Sequence, residues 1–227
     1  ELMSCDAGAV EVATIAKDLG LNVRCAFLDF WGVTNPDREG ITSIDQTVEF
    51  ASKIGLDFVV FGYITREERS TINKLKGIAE RTNQAGEKFK DAGIQLAYHN
   101  HAFEFEKLGG KQSAMELFEE EFDPDLVKFE LDVFWAAIAG QDPLAWMKRL
   151  DQRLALVHLK DLLAGTPTIF DEGQVPKDAF QELGDGQLDM PAIMRLAKDL
   201  GVVHCHVEQD QSPDPIKSIV QSRRYLG

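Results

Sequence analysis

No stretch of about eighteen consecutive apolar residues occurs in the 227 residues of the chain. A basic segment leading into an apolar one is also missing, so neither a membrane span nor an export signal is expected. Cysteine is scarce: Cys5, Cys25 and Cys205 are odd in number, far apart and outside any CxxC. That spacing argues against a disulfide framework and against a cysteine metal cluster. A reducing, cytoplasmic compartment is the expectation, and an opening at Glu1 rather than methionine is compatible with an upstream export signal having been removed. Positive charge is also short, with 24 Lys and Arg against 38 Asp and Glu and a net charge of -14. Such a chain repels phosphate backbones and anionic lipid at long range, so nucleic acid and membrane surfaces are excluded as expected partners. A small molecule remains, and a homo-oligomer is compatible. The glycine-rich GxGxxG turn of dinucleotide-binding open sheets is absent as well.

What is present is a repeating alternation of apolar strands and amphipathic helices, with no linker or low-complexity break, so residues 1–227 read as one domain. With 44% hydrophobic residues there is ample material for a core. Residues 1–5 read as the end of a strand, and Val12, Ile15, Ala16 and Leu19 then recur at helical spacing up to Gly20. Residues 23–30 are a second strand, followed by a polar loop over 32–40. Ser43 and Gln46 form a capping box for a helix closed by Gly55. Strands follow at 58–64, 95–101, 127–134, 154–160 and 202–208, with helices between them. Asp142-Pro143 and Asp214-Pro215 each place proline in a first turn. Continuous apolar strands of this kind belong to parallel sheets covered on both faces. Seven strand–helix units result. A complete (β/α)8 TIM barrel has eight in about 250 residues, so the fold expected is an α/β barrel with its first β/α unit absent from the chain.

In a barrel the chemistry gathers at the carboxyl ends of the strands, and ionisable residues accumulate there. Side chains alternate along a strand, so Gln95, Ala97, His99 and His101 share a face, with Glu104 just beyond. The next strands end in Glu130-Leu-Asp132, in His158-Leu-Lys160-Asp161 and in His204-Cys-His206-Val-Glu208-Gln-Asp210. A mixed set of Asp, Glu and His on one rim suits a divalent ion, whether Mn²⁺, Mg²⁺, Co²⁺ or Zn²⁺. Asp132 and Glu208 are costly to bury without a partner. His158 reads equally as a ligand or as a satisfied core histidine, and His204 and His206 lie deeper on the same face, as core or supporting groups. Lys160 is suited to hold a substrate oxygen or a developing enolate, or else to form a salt bridge at the rim. Trp31, Phe134 and Trp135 would wall a sugar ring, or simply fill the core.

The strings Tyr98-His-Asn-His-Ala-Phe-Glu-Phe105, Leu131-Asp-Val-Phe-Trp135, Gly140-Gln-Asp-Pro143, His158-Leu-Lys-Asp161, Leu183-Gly-Asp-Gly-Gln-Leu-Asp189 and Val207-Glu-Gln-Asp210 run in order across nearly the whole chain. Together they resemble the sugar phosphate isomerase/epimerase family, the xylose-isomerase-like TIM barrels. The resemblance implies one divalent metal held by two Glu, one Asp and one His. Asp132, His158 and Glu208 fall on three of those positions. Where typical epimerases carry the fourth ligand, a glutamate, this chain has Ala97; Glu104 is the first replacement, His99 or His101 the second. The loop around Gly184 and Gly186 is expected to cover the site.

The implied activity is isomerisation or epimerisation of a sugar or keto-sugar by proton abstraction next to a carbonyl. Glu208, His99 or His101 would move the proton, and Lys160 would stabilise the oxyanion. The alternatives are a lyase or hydratase, of dehydratase type, acting on a 3-keto sugar or inosose through the same enolate, and a non-catalytic sugar-binding barrel. Apurinic-site endonucleases of this fold are disfavoured by five histidines and a net charge of -14. No cluster of basic residues marks a phosphate site, which favours an unphosphorylated substrate.

Overall fold

The computed structural model describes residues 1–227. The chain packs into two units, one of residues 1–99 with 116–128 and the other of residues 100–115 with 129–227. In the first unit, Asp6 caps helix α1 (Ala7–Asp18) by accepting from the Ala9 amide at 2.9 Å, satisfying one of the four orphan N–H groups of a helix start. Strand β1 (Cys25–Phe27) follows, then a single turn of helix, α2 (Trp31–Thr34). Helix α3 (Ile44–Ile54) begins at the Ser43–Gln46 capping box and ends at Gly55, which takes φ of 79°. Strand β2 (Phe58–Phe61), the long helix α4 (Ile72–Asp91), strand β3 (Gln95–His99) and helix α5 (Ala114–Glu121) complete it.

Strands β1, β2 and β3 are parallel neighbours, with Cys25 opposite Phe58 and Phe58 opposite Gln95. All four β2 residues are buried, as expected of a strand covered on both faces. Helix α4 buries the stripe Leu75, Ile78, Ala79, Thr82, Ala85, Gly86 and Phe89. Phe89 has no exposed surface, and truncating such a side chain to alanine costs about 3–5 kcal/mol. Two expectations change here. The strand expected over residues 1–5 is reduced to one parallel bridge, Leu2 to Ala26, and part of the loop expected over 32–40 is helical.

The second unit opens with an antiparallel ribbon, β4 (Lys107–Leu108) and β5 (Gln112–Ser113), turned by Gly109 and Gly110 at positive φ. Strand β6 (Val127–Asp132) leads directly into helix α6 (Val133–Ile138). Helix α7 (Pro143–Leu150) starts at Asp142 with proline in its first turn. Strand β7 (Leu154–Leu159) is followed by a second ribbon, β8 (Asp161–Leu162) paired antiparallel with β9 (Phe180–Gln181). Helix α8 (Met190–Leu200), capped by Asp189 and closed by Gly201, strand β10 (His204–Val207) and helix α9 (Pro215–Leu226) end the chain.

Strands β6, β7 and β10 lie side by side and parallel, and their register brings Asp132, His158 and His206 into one row. Glu130, Leu156 and His204 form the row below. Since alternate residues share a face, Lys160 and Glu208 continue that face beyond the strand ends.

Candidate metal centre

Asp132 has no exposed surface. Its Oδ1 accepts from the Trp135 amide at 3.0 Å, so the same residue ends β6 and caps α6. Oδ2 is left buried without a hydrogen bond, facing Lys160 Nζ at 3.2 Å. Asn100 fixes the backbone beneath it: its Oδ1 accepts from the Asp132 amide at 3.1 Å and its Nδ2 donates to the Asp132 carbonyl at 3.4 Å. A side-chain amide thus stands where a neighbouring strand's peptide would, and this is the role of the asparagine between the two histidines.

His158, opposite Asp132, is 2% exposed. Its Nδ1 lies 2.9 Å from Glu208 Oε2 and 3.8 Å from Asp132 Oδ2, and its Nε2 lies 3.3 Å from Glu130 Oε1. Lys160, two residues on, is 1% exposed and places Nζ 2.8 Å from Glu208 Oε2 and 2.9 Å from Asp210 Oδ2. Around the ammonium stand Trp135, Phe134 and Phe180, with ring centroids 5.4, 5.7 and 5.9 Å away. These rings exclude water on one side and favour the cation through their π faces.

Burial opposes the charge on Lys160, but Asp132, Glu208 and Asp210 outweigh it and hold the ammonium above its ordinary range. Burial would raise Glu208, yet the hydrogen bond with His158 and the charge of Lys160 bring it well below the usual carboxylate range. Asp210 moves the other way: its burial and its repulsion from Glu208 and Asp132 exceed the attraction of Lys160, and its carboxyl is raised. The two acids share one ammonium, but Glu208 alone has His158 as well. Asp210 therefore takes a proton first.

The donor chemistry fits a divalent cation. Three carboxylates, Asp132, Glu208 and Asp210, meet a single ammonium, so negative charge is in excess inside a poorly solvated space. A dication bound by Asp132, Glu208 and His158 would offset that excess. The buried Asp132 Oδ2 without a hydrogen bond is the atom such an ion would satisfy.

The second unit thus brings Asp132, His158, Lys160 and Glu208 together. Glu104 is fully buried, and its Oε2 accepts from the His101 amide at 2.8 Å; it closes the 101–104 turn. His101 stacks on Phe103 at 5.8 Å and lies 5.2 Å from Trp135. His99 belongs to the first unit, edge-on to Phe27 at 5.5 Å. Of the expected aromatic wall, Phe134 and Trp135 stand beside Lys160, whereas Trp31 lies in the first unit beneath Arg38, whose guanidinium is 4.2 Å from its ring. Sequence reasoning left out Asp210 and Glu130 as partners, although both carry a signal: each lies two residues from a chosen acid, on the same strand face. Phe180 carried none.

The loop over residues 183–189 is fixed by Asp161. Its Oδ1 accepts from the amides of Leu162 and Leu188, and its Oδ2 from those of Gly184 and Gly186, at 2.9 to 3.2 Å. A Cβ on Gly186 would collide with that carboxylate, and one on Gly184 with the Tyr225 ring. Glycine is required at both positions for close approach.

The sequence matches the family described as xylose isomerase-like TIM barrel over residues 5–226. An inosose dehydratase of Clostridium perfringens (strain 13 / Type A) is 29% identical, over 96% of this chain and 80% of that one. An inosose dehydratase of Clostridium tetani (strain Massachusetts / E88) is 27% identical over 69% of this chain, and the match spans only 55% of that relative's length. Among solved structures, a sugar phosphate isomerase/epimerase from Parabacteroides distasonis ATCC 8503 superposes with a TM-score of 0.74 at 25% identity, over 95% of this chain and 74% of that one. With 5–226 of its residues matched, this chain belongs to the xylose isomerase-like TIM barrel family.

Proposed function

We propose that the protein is a metal-dependent lyase of dehydratase type, removing water from an inosose or a related cyclic keto-polyol. The observation that carries this reading is the gathering of Asp132, Glu208 and Asp210 on one buried ammonium beside His158. Asp132, His158 and Glu208 would hold a divalent ion such as Mn²⁺, Mg²⁺, Co²⁺ or Zn²⁺. When bound, the ion would polarise the substrate carbonyl and lower the energy of the enolate.

The chain's own groups supply the rest. A base removes the proton next to the carbonyl; His101, beside Trp135, is suited to this, and His99 is retained on the sequence pattern alone. The depressed proton affinity of Glu208 suits a ligand better than a base. Lys160 Nζ places positive charge where the enolate oxygen develops. Asp210, whose carboxyl is raised, donates to the β-hydroxyl as its C–O bond breaks. A C–H and a C–OH bond are lost, a double bond forms, and one water leaves, with no change of oxidation state. Trp135, Phe134 and Phe180 offer an apolar side to a ring.

The likeness to inosose dehydratases at 27% and 29% identity supports this reading over simple isomerisation. Return of the proton to carbon, with the hydroxyl kept, would instead give an isomerase or epimerase, as the likeness to the Parabacteroides protein favours. Metal-loaded protein incubated with an inosose in deuterated water separates the two. Dehydration shows as loss of a ring C–H signal with appearance of the dehydrated ketone. Deuterium uptake without water loss supports the isomerase reading. Neither exchange nor water loss would contradict both.

A further inference from the structure

We propose that Glu130 is a positioning residue that holds the Nε2 proton and the ring orientation of His158 from below, so that Nδ1 is the nitrogen presented to the metal centre. The proposal rests on the reading of His158 as a ligand. Glu130 has no exposed surface, and its row neighbour on β7 is the apolar Leu156. Its Oε1 instead meets two imidazoles from the row above: His158 Nε2 at 3.3 Å and His206 Nδ1 at 3.2 Å. The two rings stand nearly perpendicular, at 87°, with centroids 5.6 Å apart, so each aims one nitrogen at the same oxygen.

An ionised carboxylate only accepts hydrogen bonds, and a neutral imidazole donates from one nitrogen and accepts at the other. A buried Glu130 between these rings therefore calls for a proton on His158 Nε2 and on His206 Nδ1. With Nε2 anchored on Glu130, Nδ1 is the nitrogen that faces Glu208 and Asp132; in the metal-free protein it donates to Glu208 at 2.9 Å, and that proton is the one a metal ion would displace. A carboxylate behind a ligating histidine acts in this way in metal sites generally, holding the ring and raising its basicity. The place of Glu130, one row beneath Asp132 on the same strand, makes β6 the source of both the ligand carboxylate and the carboxylate that orients its neighbour.

The test is long-range ¹H–¹⁵N spectroscopy of the full chain labelled at histidine, metal-free and then with Zn²⁺, with His158→Gln and His206→Gln used only for assignment. The expected wild-type result is a protonated Nε2 on His158, retained when Zn²⁺ shifts the Nδ1 resonance. Glu130→Leu should lose the Nε2 proton of His158 in the metal-free protein, leaving the one on Nδ1 that Glu208 accepts, and weaken Zn²⁺ binding by about 10- to 100-fold, and Glu130→Asp should recover part of both. A wild-type His158 whose Nε2 carries no proton would overturn the proposal, as would a metal-free Glu130→Leu protein in which Nε2 keeps its proton. The wild-type spectra decide the matter if the leucine variant fails to fold. Absence of any Zn²⁺ response at His158, with its Nε2 proton still dependent on Glu130, would sink the ligand reading and leave the pairing standing.

Discussion

Asp132 and Asp161 are both fully buried in the same unit, the first ending parallel strand β6 and the second opening the ribbon strand β8 two residues beyond β7, and both accept a hydrogen bond from an amide that follows them closely in sequence. Their remaining surroundings differ. Asp161 spends both oxygens on four backbone amides, three of them from the 184–188 loop. Asp132 uses Oδ1 as a helix cap and turns Oδ2 towards a lysine and a histidine. The first carboxylate is saturated by neutral donors and holds a loop in place. The second is left with an oxygen that has charge around it and no hydrogen bond, which suits a ligand and does little for stability. Burial alone therefore does not separate a structural acid from a functional one; the count of satisfied oxygens does.

The comparison predicts opposite phenotypes. Asp132→Asn should weaken divalent-metal binding by at least about 100-fold, since it removes a ligand rather than an outer partner, whose loss typically costs 10- to 100-fold. Its melting temperature should be unchanged or higher, because asparagine still caps α6 and the crowding of acids is relieved. Calorimetric metal titration and thermal unfolding check the two halves. Asp161→Ala should instead lower unfolding free energy by roughly 4 kcal/mol, since hydrogen bonds to charged groups contribute about 1.5–3 kcal/mol each and water replaces only some of them. Gly186→Ala pushes a methyl group into the same carboxylate and should cost roughly 2–3 kcal/mol by overpacking. Combined with Asp161→Ala it should cost less, with the Leu162 carbonyl, 2.6 Å from the same Cβ, keeping part of the penalty, a non-additivity that a double-mutant cycle in urea would reveal.

The smallest effects concern Glu208 and Asp210. Folding lowers the proton affinity of Glu208, so its stabilising contribution is present above its free-chain value of about 4.3 and is lost as pH falls through the folded value. Folding raises that of Asp210, so its ionisation works against the fold above about 3.9. At pH 7, Glu208→Gln should therefore lower the melting temperature and Asp210→Asn should raise it. Like signs for the pair would break the contrast drawn between the two acids.

Much of this was legible in the sequence, for identifiable reasons. Helices α3, α7 and α9 announce themselves by Ser43 with Gln46, by Asp142-Pro143 and by Asp214-Pro215, because caps are local chemistry. Asp132, His158, Lys160 and Glu208 stand out because a two-residue period puts them on one face at strand ends. The four-amide role of Asp161 is not legible: three of its partners lie more than twenty residues away and all are backbone groups, which no side-chain pattern marks. The two ribbons, β4–β5 and β8–β9, are two residues per strand, too short to show a period. Strand β1 is only three residues long, shorter than the apolar run over 23–30 suggests. Which nitrogen of His158 meets which acid depends on a ring rotation that only coordinates provide.

The central claim is that the excess acid around Lys160 belongs to a divalent-metal centre. Metal analysis of the purified protein after loading with Mn²⁺ or Co²⁺ and exhaustive dialysis, beside the Asp132→Ala variant, tests it most directly. The account predicts about one equivalent in the parent protein and essentially none in a folded variant. Equal metal content in the two, or no metal in either, would contradict it.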